Sequence, residues 1–336
     1  MACGLGGGLM NNRRKLLVAL GAGAIAPTLD VFAQKQGKPP RIGVLSPGNP
    51  PPDDPFRQAE RFEAGLRELG WKPNSDIFIE YRYAAGKLER LPGLAAELVR
   101  IPVDAIVARG QTIAAARQAT ATIPIVMAAD PDPVGNGWVA SLGRPGGNIT
   151  GLSTQALELE AKQLQLLRDA IPALTRVAVL TGATSRNVEE GKRREATGKS
   201  LKFDLMEFPI NAAGELAASI SKIAEARAGA VLVHSTLWFV DANNVAALTL
   251  KNRLPMIHNL REFAVAGALF TYGVNFAELH RRSAVFIDKI LKGSNPAILP
   301  VEQPTKFDLV INMKTAKALG IKIPDSIMLR ADEIIE

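Results

Sequence analysis

From Arg41 onward, short β-branched runs alternate with segments of helical periodicity, and no other feature constrains the fold as strongly. Residues 42–45 read as a buried strand. Asp54 and Pro55 then mark a helix start, an N-cap followed by proline at the first helical position. That helix is expected to run to Leu69, with Phe56, Ala59, Phe62, Leu66 and Leu69 on one face, and to stop at Gly70. Strands at 77–83, 103–108 and 123–128 interleave with helices at 88–99 and 112–119. A Gly/Pro-rich stretch at 135–151 breaks the rhythm, ending in a turn that enters a strand at 148–152. The rhythm restarts with helices at 157–170, 188–197, 212–226 and 240–251, and strands at 176–180, 201–206, 230–233 and 256–258. Repeated βαβ units require a parallel sheet covered on both faces. Two such runs predict an α/β protein of two doubly wound parallel-sheet lobes joined by a hinge. Ligands of such sheets bind beyond the carboxyl ends of the strands, so two facing lobes enclose a cleft. A late helix at 278–291 and strand at 307–311 are expected to cross back between the lobes. The expected division is 41–152 plus 275–300 for one lobe and 153–274 plus 301–336 for the other.

The first forty residues carry a different signal. Asn11-Asn12-Arg13-Arg14-Lys15 precedes an uncharged Leu/Ala/Gly-rich stretch at 16–29, then Val31-Phe32-Ala33. A positive n-region, an apolar h-region and small residues at a cut are the parts of a secretory signal, predicted over 1–33. The paired arginines suit twin-arginine export, and the general secretory route fits as well. The expected location is periplasmic. The single cysteine, Cys3, precedes the charged n-region and is no lipobox residue, so the mature chain has no cysteine for a disulfide, nucleophile or metal site.

The charge is +7 on 336 residues, and loss of the leader, with three basic residues and one acid, lowers it to +5. Basic residues are scattered, apart from Lys192-Arg193-Arg194 among acids, without the aromatic-lined basic face that nucleic acid needs. His234, His258 and His280 lack metal-ligand spacing and read as loop or surface histidines. No G-x-S-x-G elbow anchors a hydrolase triad. Gly143-Arg144-Pro145-Gly146-Gly147 matches neither phosphate-loop spacing. Asp130-Pro131-Asp132-Pro133 lacks a companion acid, base or metal ligand and reads as a strand-end loop offering carboxylates to a cation. An exported α/β chain without catalytic apparatus or cofactor motif is expected to bind, not to transform.

Several segments in order resemble one family. They include Arg41-Ile42-Gly43-Val44-Leu45, Phe62-Glu63-Ala64-Gly65-Leu66-Arg67-Glu68-Leu69-Gly70-Trp71 and Glu80-Tyr81-Arg82. Arg90-Leu91-Pro92-Gly93-Leu94, Asp132-Pro133-Val134-Gly135, Gly143-Arg144-Pro145-Gly146-Gly147-Asn148-Ile149-Thr150-Gly151 and Val301-Glu302-Gln303-Pro304-Thr305-Lys306-Phe307 continue the match. The chain from Arg41 to Glu336 resembles the ABC transporter substrate-binding proteins of the tryptophan/tyrosine-type group, which have a type I periplasmic-binding fold. The resemblance implies capture of a small solute between two lobes and delivery to an ABC permease in the membrane, by a monomer without cofactor.

A zwitterionic amino acid needs donors for its carboxylate, an acid for its ammonium and a surface for its side chain. Ser46, after the first strand, and Gln111-Thr112, opening a helix, are the lobe-one candidates, with helix capping as the alternative role of Thr112. Arg109 at a strand end can pair with a carboxylate, or simply be exposed. Asp130 or Asp132 is expected to meet the ammonium, on a loop stiffened by Pro131 and Pro133. Lobe two offers Thr181, Ser185 and Asn187, then Ser235, Thr236 and Trp238, then Asn259, Arg261, Glu262 and Phe263, and finally Tyr272. Trp238, Phe263 and Tyr272 are candidates for the side-chain surface, with lobe core or interface as the alternative. Relatives often read Trp-Asn-Pro where this chain has Thr181-Gly182-Ala183, and Arg109 is an unusual charge. Loss of the Trp removes a stacking surface, and Arg109 favours a more acidic or polar ligand. Two further functions are weighed: a sensing module built from the same lobes, and an exported hydrolase or isomerase, which requires a nucleophile–base pair absent from the motifs.

Overall fold

The structure, a computed structural model, describes residues 1, 38–52, 57–182, 188–235, 237 and 240–336. The leader expectation and the helix start at Asp54-Pro55 lie outside the described residues. The first lobe begins with β1 (Arg41–Ser46), α1 (Gln58–Glu68), β2 (Phe78–Tyr83) and α2 (Leu91–Arg100). It continues through β3 (Ala105–Arg109), α3 (Gln111–Ala119), β4 (Ile125–Asp130) and β5 (Ile149–Ser153). The second lobe opens with α4 (Ala156–Ala170), β6 (Arg176–Gly182), α5 (Val188–Leu201), β7 (Asp204–Ile210), α6 (Leu216–Glu225) and β8 (Ala230–Val233). Then come α7 (Ala242–Lys251), β9 (Met256–His258), α8 (Arg261–Ala266), β10 (Phe270–Gly273) and α9 (Phe276–Leu291). The chain ends with β11 (Asp308–Asn312), α10 (Met313–Leu319), α11 (Asp325–Met328) and β12 (Glu333–Ile335).

The five strands of the first sheet lie in the order β2-β1-β3-β4-β5, all parallel. The second sheet repeats that order as β7-β6-β8-β9-β10, also parallel, and then adds β11 and β12. β11 departs from the expected parallel arrangement, running antiparallel to β10 with Phe270 opposite Ile311 and Gly273 opposite Asp308. It does so because the chain re-enters this sheet from the other lobe, after α9, rather than through a βαβ crossover. Strands such as β4, β6 and β8 are apolar along their length because helices cover both faces, and each sheet has one apolar cluster on either side.

Three crossings join the sheets: between β5 and α4, between β10 and α9, and between α9 and β11. The first and third touch, since Leu152 pairs with Glu302, and Thr150 Oγ1 donates to the Leu299 carbonyl at 2.6 Å. Although it follows β10, α9 packs on α1 of the first lobe. A Cβ on Gly65 would stand 2.2 Å from the Arg281 carbonyl oxygen, so the two helices approach as closely as they do only because that position is glycine. Trp71 Nε1 donates to Asp288 at 3.0 Å, and Arg281 pairs with Glu68, completing the seam.

Two local expectations shift. The strand expected over 201–206 begins only at Asp204, because α5 runs on to Leu201 and ends at Lys202 in a left-handed turn (φ 56°). His258 and His280 are not surface residues but are buried. His258 stacks on Phe263, ring centroids 3.6 Å apart, and accepts the Leu260 N–H. His280 lies inside α9 with Nδ1 2.7 Å from the Phe276 carbonyl.

Candidate functional site

In a sheet of order 2-1-3-4-5 the connections leave strands 1 and 3 towards opposite faces, opening a crevice beyond their carboxyl ends. This chain has two such points. The first lies at the ends of β1 and β3, where Ser46 and Arg109 stand. The second lies at the ends of β6 and β8, where Thr181, His234 and Ser235 stand.

The predicted residues separate by what already holds them. Ser46 is buried and its Oγ accepts the Gly48 N–H at 3.2 Å. Thr112 is buried, and its hydroxyl both accepts from the Arg109 N–H at 2.8 Å and donates to the Arg109 carbonyl at 2.9 Å. It clasps the β3–α3 turn. Gln111 is exposed at the first turn of α3. Arg109 Nε donates to Gln58 Oε1 at 3.1 Å, on α1, and its cation helps hold down His280, which burial already depresses to about 3.

Asp130 is 1% exposed at the end of β4, and its carboxylate gathers its own loop. Oδ1 accepts from the Asp132 N–H and Asn136 Nδ2, and Oδ2 from Trp138 Nε1 at 2.9 Å. Burial pushes this carboxyl up to about 6 although all three hydrogen bonds pull it down. Asp132 accepts the Gly135 N–H at 2.9 Å in the same loop.

On the second lobe Thr181 is buried in β6 and Ser235 is exposed just past β8, while Asn187 and Trp238 lie outside the described residues. Arg261 turns away to a bidentate pair with Glu333 of β12, both contacts at 2.6 Å. Tyr272 joins the apolar clusters of both lobes, its ring 5.9 Å from Phe307 and its carbonyl accepting from Gln163 Nε2. Phe263 is core.

Below the second point lies a buried ionic group that the charge pattern concealed. Arg194 and Glu160 are 8% and 7% exposed. Arg194 grips both Glu160 oxygens, at 2.7 and 3.0 Å, and reaches Glu207 on β7 at 2.6 Å. Arg194 thereby ties α4, α5 and β7 together. His234 Nε2 stands 3.6 Å from Glu160, and His258, next along the sheet, is driven down to about 3 by burial and by His234. Glu160, Gln163, His234, Ser235 and Asn259 line a small pocket of about 20 Å³.

A larger cavity, about 350 Å³, opens between the lobes beside the crossings. Arg57, just before α1, and Arg61 within it line the cavity from the first lobe, and Asn259, Leu260, Glu262, Gly273 and Asp308 line it from the second. Gly273 has no room for a Cβ, which would stand 2.0 Å from the Asn259 carbonyl oxygen, so the ends of β9 and β10 close tightly behind Asn259. Among the described residues no three His, Cys, Asp or Glu side chains converge on a metal position, and no helix is long and apolar enough to cross a membrane.

The sequence profile of the ABC transporter substrate binding proteins matches residues 54–335, most of the chain. The chain belongs to that family. A tyrosine-binding protein from Clostridioides difficile (strain R20291) is 26% identical over 264 residues, 78% of this chain and 76% of that one. The ABC domain from Streptococcus pneumonia in complex with L-Trp shares the fold with a TM-score of 0.79 at 23% identity, over 89% of this chain and all of that one. The ligand-free, open structure of a substrate-binding protein with adhesive properties from Clostridium difficile gives 0.67 at 23% identity, over 88% and 99%. The substrate-binding protein described here therefore has the two-lobed α/β fold of its family, whose members bind small ligands.

Proposed function

We propose that this protein is the exported solute-binding component of an ABC importer, a monomer that captures an amino acid or related carboxylate in its inter-lobe cleft for a membrane permease. The observation that carries the reading is the doubled strand order, which gives each lobe a crevice of its own with polar side chains at the rim and joins the two lobes by three crossings. Closure of two rigid lobes about such crossings buries the ligand and alters the surface a permease meets. In this reading the lobes are 41–152 plus 275–300 and 153–274 plus 301–336, residues 1–33 are the leader, and no chemical step takes place. Ser46, Gln111, Thr181 and Ser235 face the ligand, Asn187 and Trp238 are further ligand-binding candidates, and Arg109, Thr112 and Asp130 hold the rim in shape. The tyrosine-binding relative and the L-Trp complex support an amino-acid ligand. Calorimetric titration against amino acids, small carboxylates and sugars, with small-angle scattering of the tightest complex, tests it. Saturable binding with a smaller radius of gyration is expected; no binding of any solute class would defeat the reading.

A further inference from the structure

Residues 34–336 carry a net charge of +5, and the whole of that excess falls in two segments. Residues 242–260 hold Lys251 and Arg253, residues 309–324 hold Lys314, Lys317 and Lys322, and neither segment contains an acid. The fold brings the two together. Arg253 Nη2 donates to the Leu319 carbonyl at the end of α10, at 3.4 Å. Thr315 Oγ1 of α10 donates to the carbonyl of Gly267, just past α8, at 2.9 Å, and Asn312 Nδ2 donates to the Ala264 carbonyl at 2.8 Å. A Cβ on Gly267 would stand 3.3 Å from Ala246 of α7, so α7, α8 and α10 converge there. This is the pole of the second lobe that faces away from its crevice. Arg253 lies just ahead of β9, and α10 leaves β11 beside the first residue of β10, with Ile311 opposite Phe270.

All five cations are exposed, and none is in an ion pair among the described residues. Thr315 and Ala316 are buried between Lys314 and Lys317, which puts those two lysines one turn apart on the outer face of α10. Like charges gathered without acids repel one another, and a negative surface relieves that repulsion. Leu250 and Val265, 40% and 57% exposed, stand beside them on α7 and α8. Lysines on flexible stems are point charges that suit a diffuse array of phosphates better than the fixed carboxylates of one protein partner. Apolar side chains among such cations suit the boundary between headgroups and acyl chains. We infer that this pole docks on an anionic phospholipid surface, its cations against the headgroup phosphates and Leu250 and Val265 at that boundary. Docking there leaves the crevices, at the opposite ends of the strands, open to solution.

The test floats the full chain with vesicles of phosphatidylcholine alone and of equimolar phosphatidylcholine and phosphatidylglycerol, and reads the ratio of the two partition coefficients. That ratio cancels any insertion common to both lipids. Wild type is compared with the pole variant Lys314→Gln/Lys317→Gln/Lys322→Gln. A control, Lys72→Gln/Lys87→Gln/Arg100→Gln, removes the same charge from exposed positions of the first lobe. All six positions are exposed, and unchanged thermal melts establish that both variants fold. Each cation at an anionic surface contributes about fivefold, so the pole variant is expected to lose at least about tenfold of the wild-type ratio and the control less than about twofold. Raising the ionic strength should erase the wild-type preference. No wild-type preference for phosphatidylglycerol, or a wild-type ratio in the pole variant, would overturn the inference. Equal losses in the two variants would overturn it as well, since the charge would then act without regard to place. Binding to poly-L-glutamate that the pole variant abolishes, with no preference for phosphatidylglycerol, would give the pole to an acidic protein and overturn the lipid assignment.

Discussion

Replacing Arg194 by methionine keeps the length of the side chain and removes its charge. In the wild type the guanidinium satisfies both oxygens of Glu160 and one of Glu207, and only Glu207 retains access to water. The variant therefore leaves Glu160 buried without the guanidinium, with His234 3.6 Å away. Removing one member of a buried pair costs about 3–5 kcal/mol, mostly from the stranded charge. At roughly 2–3 °C per kcal/mol for a chain of this size, the melting temperature should fall by roughly 6–15 °C. Adding Glu160→Gln removes the stranded charge, and the double variant should regain most of the loss, since neutral replacements of buried pairs are often tolerated. Urea unfolding of wild type, both single variants and the double variant gives the coupling directly, expected at about 2 kcal/mol or more. A loss under about 1 kcal/mol for Arg194→Met, with additive single variants, would mean that the pair is hydrated and that Arg194 is the surface cation its sequence suggests.

Three further outcomes follow from the geometry. Gly65→Ala should destabilise by about 1–3 kcal/mol in urea unfolding, since the added carbon meets the Arg281 carbonyl of α9 and the helices must part; a neutral result would show that the seam yields freely. His258 and His280 stay neutral in the folded state down to about pH 3 but take a proton near pH 6.5 when unfolded, so each contributes stability that is lost as pH falls below 6.5. His280→Gln should flatten the decline between pH 6 and pH 4 by about 1.4 kcal/mol per pH unit, one proton's worth, and an unchanged slope would refute the assigned burial effect. Asp130 acts in the other direction: its folded value near 6 exceeds its unfolded 3.8, so its protonation favours folding as pH drops through that window, and Asp130→Asn should steepen the same decline.

The α/β alternation was legible because parallel strands covered on both faces are continuous apolar runs, and the ends of β8 and β9 fall where the sequence puts them. What escaped was long-range. Arg194 sits in a basic triplet that reads as solvated, and only its partner 34 residues earlier, Glu160, shows that it points inwards. Arg57 and Arg61, four apart in the sequence, give no local sign of the cavity that they line together with Asn259 and Glu262 of the other lobe. A local signal did exist for His280, which shares the spacing of Ser283, Ala284 and Ile287 on the buried stripe of α9. Lys202 hid the end of α5 because a lysine, not a glycine, takes the left-handed turn there. Of the candidate site, Ser46 and Thr181 were placed correctly at strand ends, since a strand's end is a local property. The duties of Asp130, Thr112 and Arg261 were not readable, because their partners are set by loop closure and by β12.

The most direct measurement is a crystal structure of the protein grown with the amino acid that binds it most tightly. Density bridging the lobes, in contact with residues beyond the carboxyl ends of both sheets, is the expected result. Density confined to one lobe or to the outer surface, with the two sheets in the same relation as without ligand, would contradict the account.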